Sequence, residues 1–192
     1  SQAGAVLQYR PAPGSPHDPR LYTRAYRALV QRGESELALG ASARPITRVP
    51  VRLAGELRYT DGVFSNALRP AAYAVTELPP FALAHGVQLE AYGQAGWVGG
   101  PGATAFVDGQ ASVTRELRQI AGLTDNRVRF GLGAAAWGGA QEDAQRVDVG
   151  PTMRLDLTVG EVPARLSVDW RARVGGDASP GSGLAATLST QF

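Results

Sequence analysis

The sequence predicts an all-β fold, an antiparallel up-and-down transmembrane β-barrel of 10 to 12 strands. Apolar and polar residues alternate along most of the chain, which is the period of a strand with two unlike faces. No segment approaches the roughly 18 consecutive apolar residues that a membrane helix needs. The 24 glycines and 13 prolines also disfavour long helices, because glycine costs backbone entropy there and proline removes a hydrogen bond.

Composition limits the classes of function. The 192 residues are too few for two ordinary domains, so residues 1–192 are expected to form one. Cysteine is absent, which excludes a disulfide framework and a thiolate metal site. The formal net charge of +2 gives no reason to expect a nucleic-acid partner. No metal or cofactor is expected.

The amino-terminal half carries one clear strand and several weaker ones. In the clear strand, Val51, Leu53, Leu57 and Tyr59 oppose Arg52, Glu56 and Arg58. Proline inside a run predicts a bulge or a strand end, here at position 70. The predicted strands of this half are Ala5–Arg10, Leu21–Gln31, Glu36–Arg44, Val51–Tyr59 and Leu68–Leu78.

The carboxyl-terminal half alternates more regularly, in runs long enough to cross a bilayer, since about 9 to 11 residues suffice. Only Gly160 and Glu161 separate two of these runs, which predicts a tight hairpin. Pro151 again predicts a bulge or a strand end. The predicted strands are Val87–Trp97, Thr104–Arg118, Arg127–Trp137, Val147–Val159, Val162–Val174 and Gly183–Phe192.

The last strand predicts the compartment and the orientation. An alternating strand that ends on an aromatic residue, here Phe192, is typical of the bacterial outer membrane, with that residue on the periplasmic side. The periplasmic connections would then be Pro45–Pro50, Pro79–Gly86, Gln119–Asn126 and Gly160. The external connections would be Gln31–Ser35, Asp61–Ala67, Gly99–Gly102, Gly138–Gln145 and Gly175–Ser182.

The strand count raises a question of parity. The runs give ten good strands and an eleventh candidate at Ala5–Arg10. An even number is expected for a barrel whose two termini are both periplasmic. Either Ala5–Arg10 leads into a ten-stranded barrel, or a further strand precedes Ser1 and the barrel has twelve. We favour the second alternative.

The polarity of the two strand faces indicates which one meets lipid. One face is rich in leucine, valine and alanine, whereas the other carries opposed charges and small residues. Three aromatic residues, Tyr59, Trp97 and Trp170, fall near strand ends, where interfacial girdles place them. The apolar face is therefore expected to point outward. A soluble β-sandwich or barrel, with its apolar face inward, is the alternative.

Charged residues on the polar faces are the candidate lumen-lining site. Neighbouring arginine and aspartate side chains in a narrow barrel are expected to pair and fill the lumen. Alternatively, an arginine-lined wall would guide an anionic polysaccharide by charge and by fork-shaped hydrogen bonds. The residues are Arg127, Arg129, Arg154, Arg165, Arg171, Arg173, Asp148, Asp156 and Asp169.

Candidates for catalysis or metal binding are few. The two histidines, His17 and His85, lie in connections without a serine or aspartate in strand register, so we predict no catalytic residue. The acidic stretch Gln141–Asp143 is interpreted as a solvated loop, with a divalent cation or lipopolysaccharide contact as the alternative. An outer-membrane hydrolase remains a further alternative.

Three stretches resemble a known family. Residues 5–11 (AVLQYRP), 21–27 (LYTRAYR) and 44–51 (RPITRVPV) are similar to the carboxyl-terminal outer-membrane barrel of exopolysaccharide export and phage adsorption proteins, such as the cellulose synthase operon channel. In those proteins helical repeats precede the barrel, and nothing in this chain is like such a repeat. The resemblance covers the barrel alone and carries over no catalytic residue.

The resemblance implies a non-catalytic, porin-like transport barrel of a Gram-negative outer membrane, a channel or membrane component of surface-polysaccharide export. Its partners would be outer-membrane lipid, lipopolysaccharide, anionic polysaccharide and periplasmic components of a complex. The alternative is a plugged barrel that anchors an envelope complex or serves as a phage receptor.

Overall fold

The chain folds into strands joined mostly by short connections. The structure, a computed structural model, describes residues 1–29, 33–62, 66–125, 127–177 and 181–191. One short helix, α1 (Arg118–Leu123), and a 3-10 turn at Ala84–Gly86 interrupt the strands. The strands are β1 (Gln2–Tyr9), β2 (Arg20–Ala28), β3 (Ser35–Ala43), β4 (Val51–Asp61), β5 (Asn66–Thr76), β6 (Phe81–Ala82), β7 (Val87–Val98), β8 (Thr104–Glu116), β9 (Val128–Gln141), β10 (Ala144–Val159), β11 (Val162–Gly176) and β12 (Gly183–Gln191).

The strands close into a barrel of eleven, with β6 as an extra strand. From β1 to β5 and from β7 to β12, each strand pairs antiparallel with the next, and β5 pairs with β7. The two-residue strand β6 pairs only with the start of β7. β1 and β12 complete the ring as a parallel pair, from Gln2 opposite Ala185 to Gln8 opposite Gln191. The all-β barrel of 10 to 12 strands is therefore confirmed.

The expectation of an even strand count is wrong. Ala5–Arg10 is neither a lead-in nor one strand of twelve, because β1 pairs along both of its edges, with β2 and with β12. Parallel pairing satisfies the backbone groups of both strands and allows an odd number. It also places Ser1 and Gln191 at opposite ends of the barrel, whereas both termini were expected on one side.

The two ends of the barrel are named from β12. The proximal end is where β12 finishes, and the distal end is where it begins. The connections after β1, β3, β5, β8 and β10 lie at the proximal end, and those after β2, β4, β7, β9 and β11 at the distal end. The connections predicted to be periplasmic therefore all lie at the proximal end, and those predicted to be external all lie at the distal end. Phe192, on which the compartment prediction depends, lies outside the described residues.

Several boundaries differ from the prediction. Arg118 begins α1 instead of ending β8, and the predicted connection Gly138–Gln145 shrinks to two residues because β9 and β10 continue through it. The ladder between β5 and β7 begins at Ala71, one residue after Pro70. Proline has no amide hydrogen to donate to such a ladder. Pro151 keeps its register against β9. Against β11 the ladder has no pair at Gly150 and Pro151, and the register shifts at positions 147/148.

The barrel is apolar outside and polar inside. Side chains alternate along each strand, so that Leu39 and Leu68 point outward and are 67% and 63% exposed. The predicted outward direction of the apolar face is confirmed for the described strands. The lumen buries charged and polar side chains together with small alanines and the larger Tyr22, Val98 and Trp137. The buried polar side chains on the strands are Arg52, Glu56, Ser112, Thr114, Asp148, Thr152, Arg154 and Asp169.

Helices contribute little to the described part of the chain. No helix there has the length and apolar character that crossing a membrane requires.

The parallel closure can be tested by cysteine cross-linking in a chain that has no cysteine of its own. Val6 and Ser189 are register partners that face the lumen, so the pair Val6→Cys with Ser189→Cys should form a disulfide under mild oxidation. As a control, Val6→Cys with Ala185→Cys places the thiols on the same face but about 13 Å apart along the strand. Gel mobility before and after reduction reports the bond. Equal yields from the two pairs would contradict the parallel register.

Candidate functional site in the barrel lumen

The proximal cluster lies at one end of the lumen, around Asp18. It comprises Arg10, Asp18, Arg20, Arg44, Arg52 and Glu77. The Asp18 carboxylate accepts hydrogen bonds from Arg10 at 2.7 Å, Arg20 at 2.5 Å and Arg52 at 2.6 Å. Arg52 also donates to the backbone oxygen of Asp18 at 2.8 Å. Since Arg52 comes from the wall strand β4, the β1–β2 connection is held against the barrel wall.

Glu77 joins two further proximal segments to the same cluster. It accepts hydrogen bonds from Arg44 at 2.6 Å and from Arg52 at 2.9 Å, and lies 3.2 Å from Arg20. Two hydrogen bonds link His17 and Arg44, one from the Arg44 amide to the His17 carbonyl and one between His17 Nδ1 and the Arg44 carbonyl, each at 2.8 Å. The connections that follow β1, β3 and β5 are therefore tied together across the proximal end.

The charge state of this cluster is set by its arginines. Burial alone would raise the pKa of Asp18, but hydrogen bonds and charges from Arg20 and Arg10 outweigh it and hold that pKa at about 2. Burial likewise opposes ionisation of Glu77, yet hydrogen bonds from Arg52 and Arg44 lower its pKa. Both carboxylates are therefore ionised at neutral pH, as ion pairing requires.

A row of side chains from β2, β4 and β5 occupies the middle of the lumen. Tyr22 donates a hydrogen bond to Glu56 at 2.8 Å, and its hydroxyl also lies 2.8 Å from that of Tyr73. The Tyr22 ring reaches Glu56 by crossing Gly40, where an added Cβ would lie 2.5 Å from the ring. Arg24 at 2.9 Å and Arg58 at 2.5 Å complete the shell of Glu56, whose side chain has no exposed surface.

A second group of ion pairs crosses the lumen between non-adjacent strands. Glu90 on β7 lies 2.7 Å from Arg154 on β10 and 3.0 Å from Arg165 on β11. Arg165 also pairs with Asp156 at 2.6 Å, and Arg154 donates to the Ser112 hydroxyl. Because β7 and β11 are separated by three strands, these contacts brace the barrel and occupy its interior.

A cavity remains in the distal half of the lumen. Its volume is about 470 Å³, within the usual range for small-molecule sites. Two aromatic rings in its wall are covered by guanidinium groups, Trp137 by Arg171 at 4.6 Å and Phe106 by Arg58 at 5.3 Å. The other wall residues that carry charge or an aromatic ring are Arg24, Tyr26, Tyr92, Asp108, Arg146 and Asp148.

The structure divides the predicted lumen-lining residues instead of gathering them into one wall. Three of them, Arg154, Arg165 and Asp156, belong to the ion pairs that cross the lumen around Glu90. Arg129 pairs with Glu116 at 2.6 Å, nearer the proximal end.

Three of the remaining predicted residues lie in the distal half. Asp148 pairs with Arg146 at 2.5 Å, and Asp169 accepts a hydrogen bond from Thr152 at 2.6 Å and lies 3.5 Å from Arg171. The last two predicted residues, Arg127 and Arg173, are exposed. Arg127 precedes β9, and Arg173 lies near the distal end of β11.

The sequence-based list omitted half of the lumen. Glu56, Arg58 and Glu90 carry the same alternation signal as the predicted residues, on β4 and β7, and reading those polar faces as lumen would have found them. Asp18 lies in an irregular connection and gave no periodic signal. Its backbone φ of 42° is in the left-handed region, which aspartate tolerates better than most residues.

The two histidines lie apart from any catalytic arrangement. His17 is engaged with the backbone of Arg44, and His85 occupies the 3-10 turn with a φ of 61°. In residues 1–29, 33–62, 66–125, 127–177 and 181–191, no three histidine or acidic side chains are grouped to hold a metal ion. The acidic turn at Glu142 is a hairpin tip whose amide bonds to Thr104 at 3.2 Å.

The close approach of Tyr22 to Gly40 predicts a costly substitution. Gly40→Ala forces the Tyr22 ring off Glu56, and we expect a loss of about 1–3 kcal/mol in the free energy of unfolding, as for other overpacked interiors. Gly55→Ala is the matched control, since an added Cβ there meets open space on the outer face of β4. Urea unfolding followed by tryptophan fluorescence measures both. Equal stability of the two variants would contradict this packing.

The lowered pKa of Asp18 predicts a pH dependence of stability. A carboxyl whose pKa falls from 3.8 unfolded to about 2 folded stabilises the protein above pH 3.8, and this contribution disappears as the pH falls toward 2. Asp18→Asn should therefore be less stable than the parent at neutral pH, with a difference that shrinks between pH 4 and 2.

Asp125→Asn is the control for this substitution. Asp125 also has a positive φ, 49°, at the proximal end, but forms no ion pair with any residue that the structure describes. Urea unfolding at several pH values compares the two variants. A difference for Asp18→Asn that stays constant with pH would contradict the ion pairing.

Comparison with known proteins adds no assignment to this geometry. A scan against protein-family models, a search of curated proteins and a search of solved structures each found no match to the chain.

Proposed function

We propose that the protein is a non-catalytic β-barrel of the bacterial outer membrane. The observation that carries the proposal is the inverted polarity of the barrel. Large apolar side chains such as Leu39, Leu57 and Leu68 are exposed outward, while Glu56 and Arg154 are buried inside. An extended apolar surface of this kind is unfavourable in water and fits the hydrocarbon of a bilayer.

Aromatic residues at both rims support the same proposal. Tyr59, Trp97 and Trp170 point outward in the distal part of the barrel and are about half exposed. Tyr9 and Phe81 are exposed at the proximal end. Two aromatic girdles that border an apolar band are typical of membrane barrels. Outer-membrane lipid and lipopolysaccharide are the partners that such a surface would meet.

The filled lumen favours a structural role over an open pore. The proximal cluster, the row around Glu56 and the braces to Glu90 occupy the proximal and middle parts of the lumen. The protein is then the membrane anchor of an envelope complex, and its resemblance to polysaccharide-export barrels suggests a surface-polysaccharide apparatus with periplasmic components. A channel for anionic polysaccharide is the second candidate, favoured by the arginines around the distal cavity.

Electrical recording separates the anchor from the channel. The purified barrel in planar bilayers should show no stepwise conductance, because ion pairs obstruct the lumen. Stable conductance steps in the unmodified protein would contradict the anchor and favour the channel.

Membrane residence itself is tested by fractionation and electrophoresis. The native protein should require detergent for extraction and should migrate faster before boiling than after it. Release by salt or buffer alone, with one gel mobility, would overturn the membrane assignment.

A further inference from the structure

One corner of the proximal end carries arginines that are not engaged with carboxylates. The proximal corner is the β8–α1–β9 junction with Arg115, Arg118, Ile120, Leu123 and Arg127. Most lumen arginines form ion pairs, yet Arg115, Arg118 and Arg127 form none with any described carboxylate. Arg118 acts on Glu116 through its charge without an ion pair, so the three guanidinium groups can still bind an external partner.

Arg115 marks the border of the apolar outer surface. It points outward from β8 and is exposed, with Val87 and Leu132 as its register partners on the two neighbouring strands. The preceding outward residue on β8 is Val113, which is 42% exposed. A guanidinium group on an apolar wall, one step from its edge, is in the position from which arginine snorkels to lipid headgroups.

Helix α1 adds an apolar surface beside these cations. Ala121 is buried and fixes the helix to the barrel, whereas Leu123 is 87% exposed. Arg118, at the start of the helix, lies against Gly86, where an added Cβ would be 3.3 Å from its Nη2. Arg127 follows α1 and is exposed. An exposed leucine flanked by cations is the pattern of a segment that lies in a membrane interface.

The distal end has a different charge pattern. Its connections and their borders carry the carboxylates Glu34, Asp61, Glu142, Asp143 and Asp177 beside the exposed arginines Arg27 and Arg173. Anionic headgroups would meet several carboxylates there, so we expect them to be attracted more strongly at the proximal corner.

We propose that the proximal corner binds the headgroups of anionic phospholipids, with Arg115, Arg118 and Arg127 on the phosphate oxygens and Leu123 among the acyl chains. This inference rests on the proposed membrane location. Guanidinium groups suit this role, since they present several donors to phosphate.

Lipid selectivity measured by electron paramagnetic resonance tests the proposal. The full chain is reconstituted in phosphatidylcholine vesicles that contain either spin-labelled phosphatidylglycerol or spin-labelled phosphatidylcholine. We expect the immobilised fraction to show at least about a twofold preference for phosphatidylglycerol, reduced by 0.5 M salt. Arg115→Gln with Arg127→Gln should bring the preference close to one.

The matched control removes two exposed arginines from the distal part, Arg27→Gln with Arg173→Gln, and should keep the preference. Equal association of the two lipids with the unmodified protein, or an equal loss in the control, would overturn the proposed lipid site. If neither labelled lipid is immobilised, the barrel is not in the bilayer and the proposed membrane location fails as well.

Discussion

The constraint that shapes this molecule is the pairing of charges inside a closed barrel. Strand alternation sends every second side chain into the lumen, and in this sequence many of those side chains are arginine, aspartate or glutamate. An unpaired buried charge costs several kcal/mol, so each needs a partner on a neighbouring or opposite strand. Glu56, with no exposed side-chain surface, is held by two arginines and a tyrosine. The ion-paired side chains occupy much of the lumen, and the distal cavity remains beside them.

The two strands that close the ring, β1 and β12, separate the ion pairs of the lumen into two groups. Strands β1 and β12 carry no charged residue, so the parallel pair contributes backbone hydrogen bonds and small side chains. The ion pairs lie in two sectors, one on β2 to β4 with the proximal cluster and one on β7 to β11. Contacts such as Arg58 over Phe106 connect the two sectors across the lumen.

The sequence was sufficient for the strands and their faces, because a period of two is a local property that each segment carries by itself. The closure of the ring could not be predicted from the sequence. Nothing local in Ala5–Arg10 indicates that β12 is a parallel neighbour, so the prediction of an even number of strands was wrong. The candidate site was predicted only in part. Arg154, Arg165 and Glu90 all lie on regular strands, but alternation does not show that Glu90 on β7 pairs with arginines on β10 and β11. Asp18 depends on a tertiary contact of an irregular connection, which no periodicity reveals.

The polar face of each strand points into the barrel, and the apolar face is the one that we propose meets lipid. Single cysteines along β10, labelled with a fluorophore and reconstituted in vesicles, test this arrangement with a quencher attached to lipid acyl chains. Met153, Leu155 and Leu157 face outward and should be quenched, whereas Thr152, Asp156 and Thr158 face the lumen and should be protected. Alternating quenching in this phase is the predicted result. Quenching without alternation, or in the opposite phase, would contradict the account.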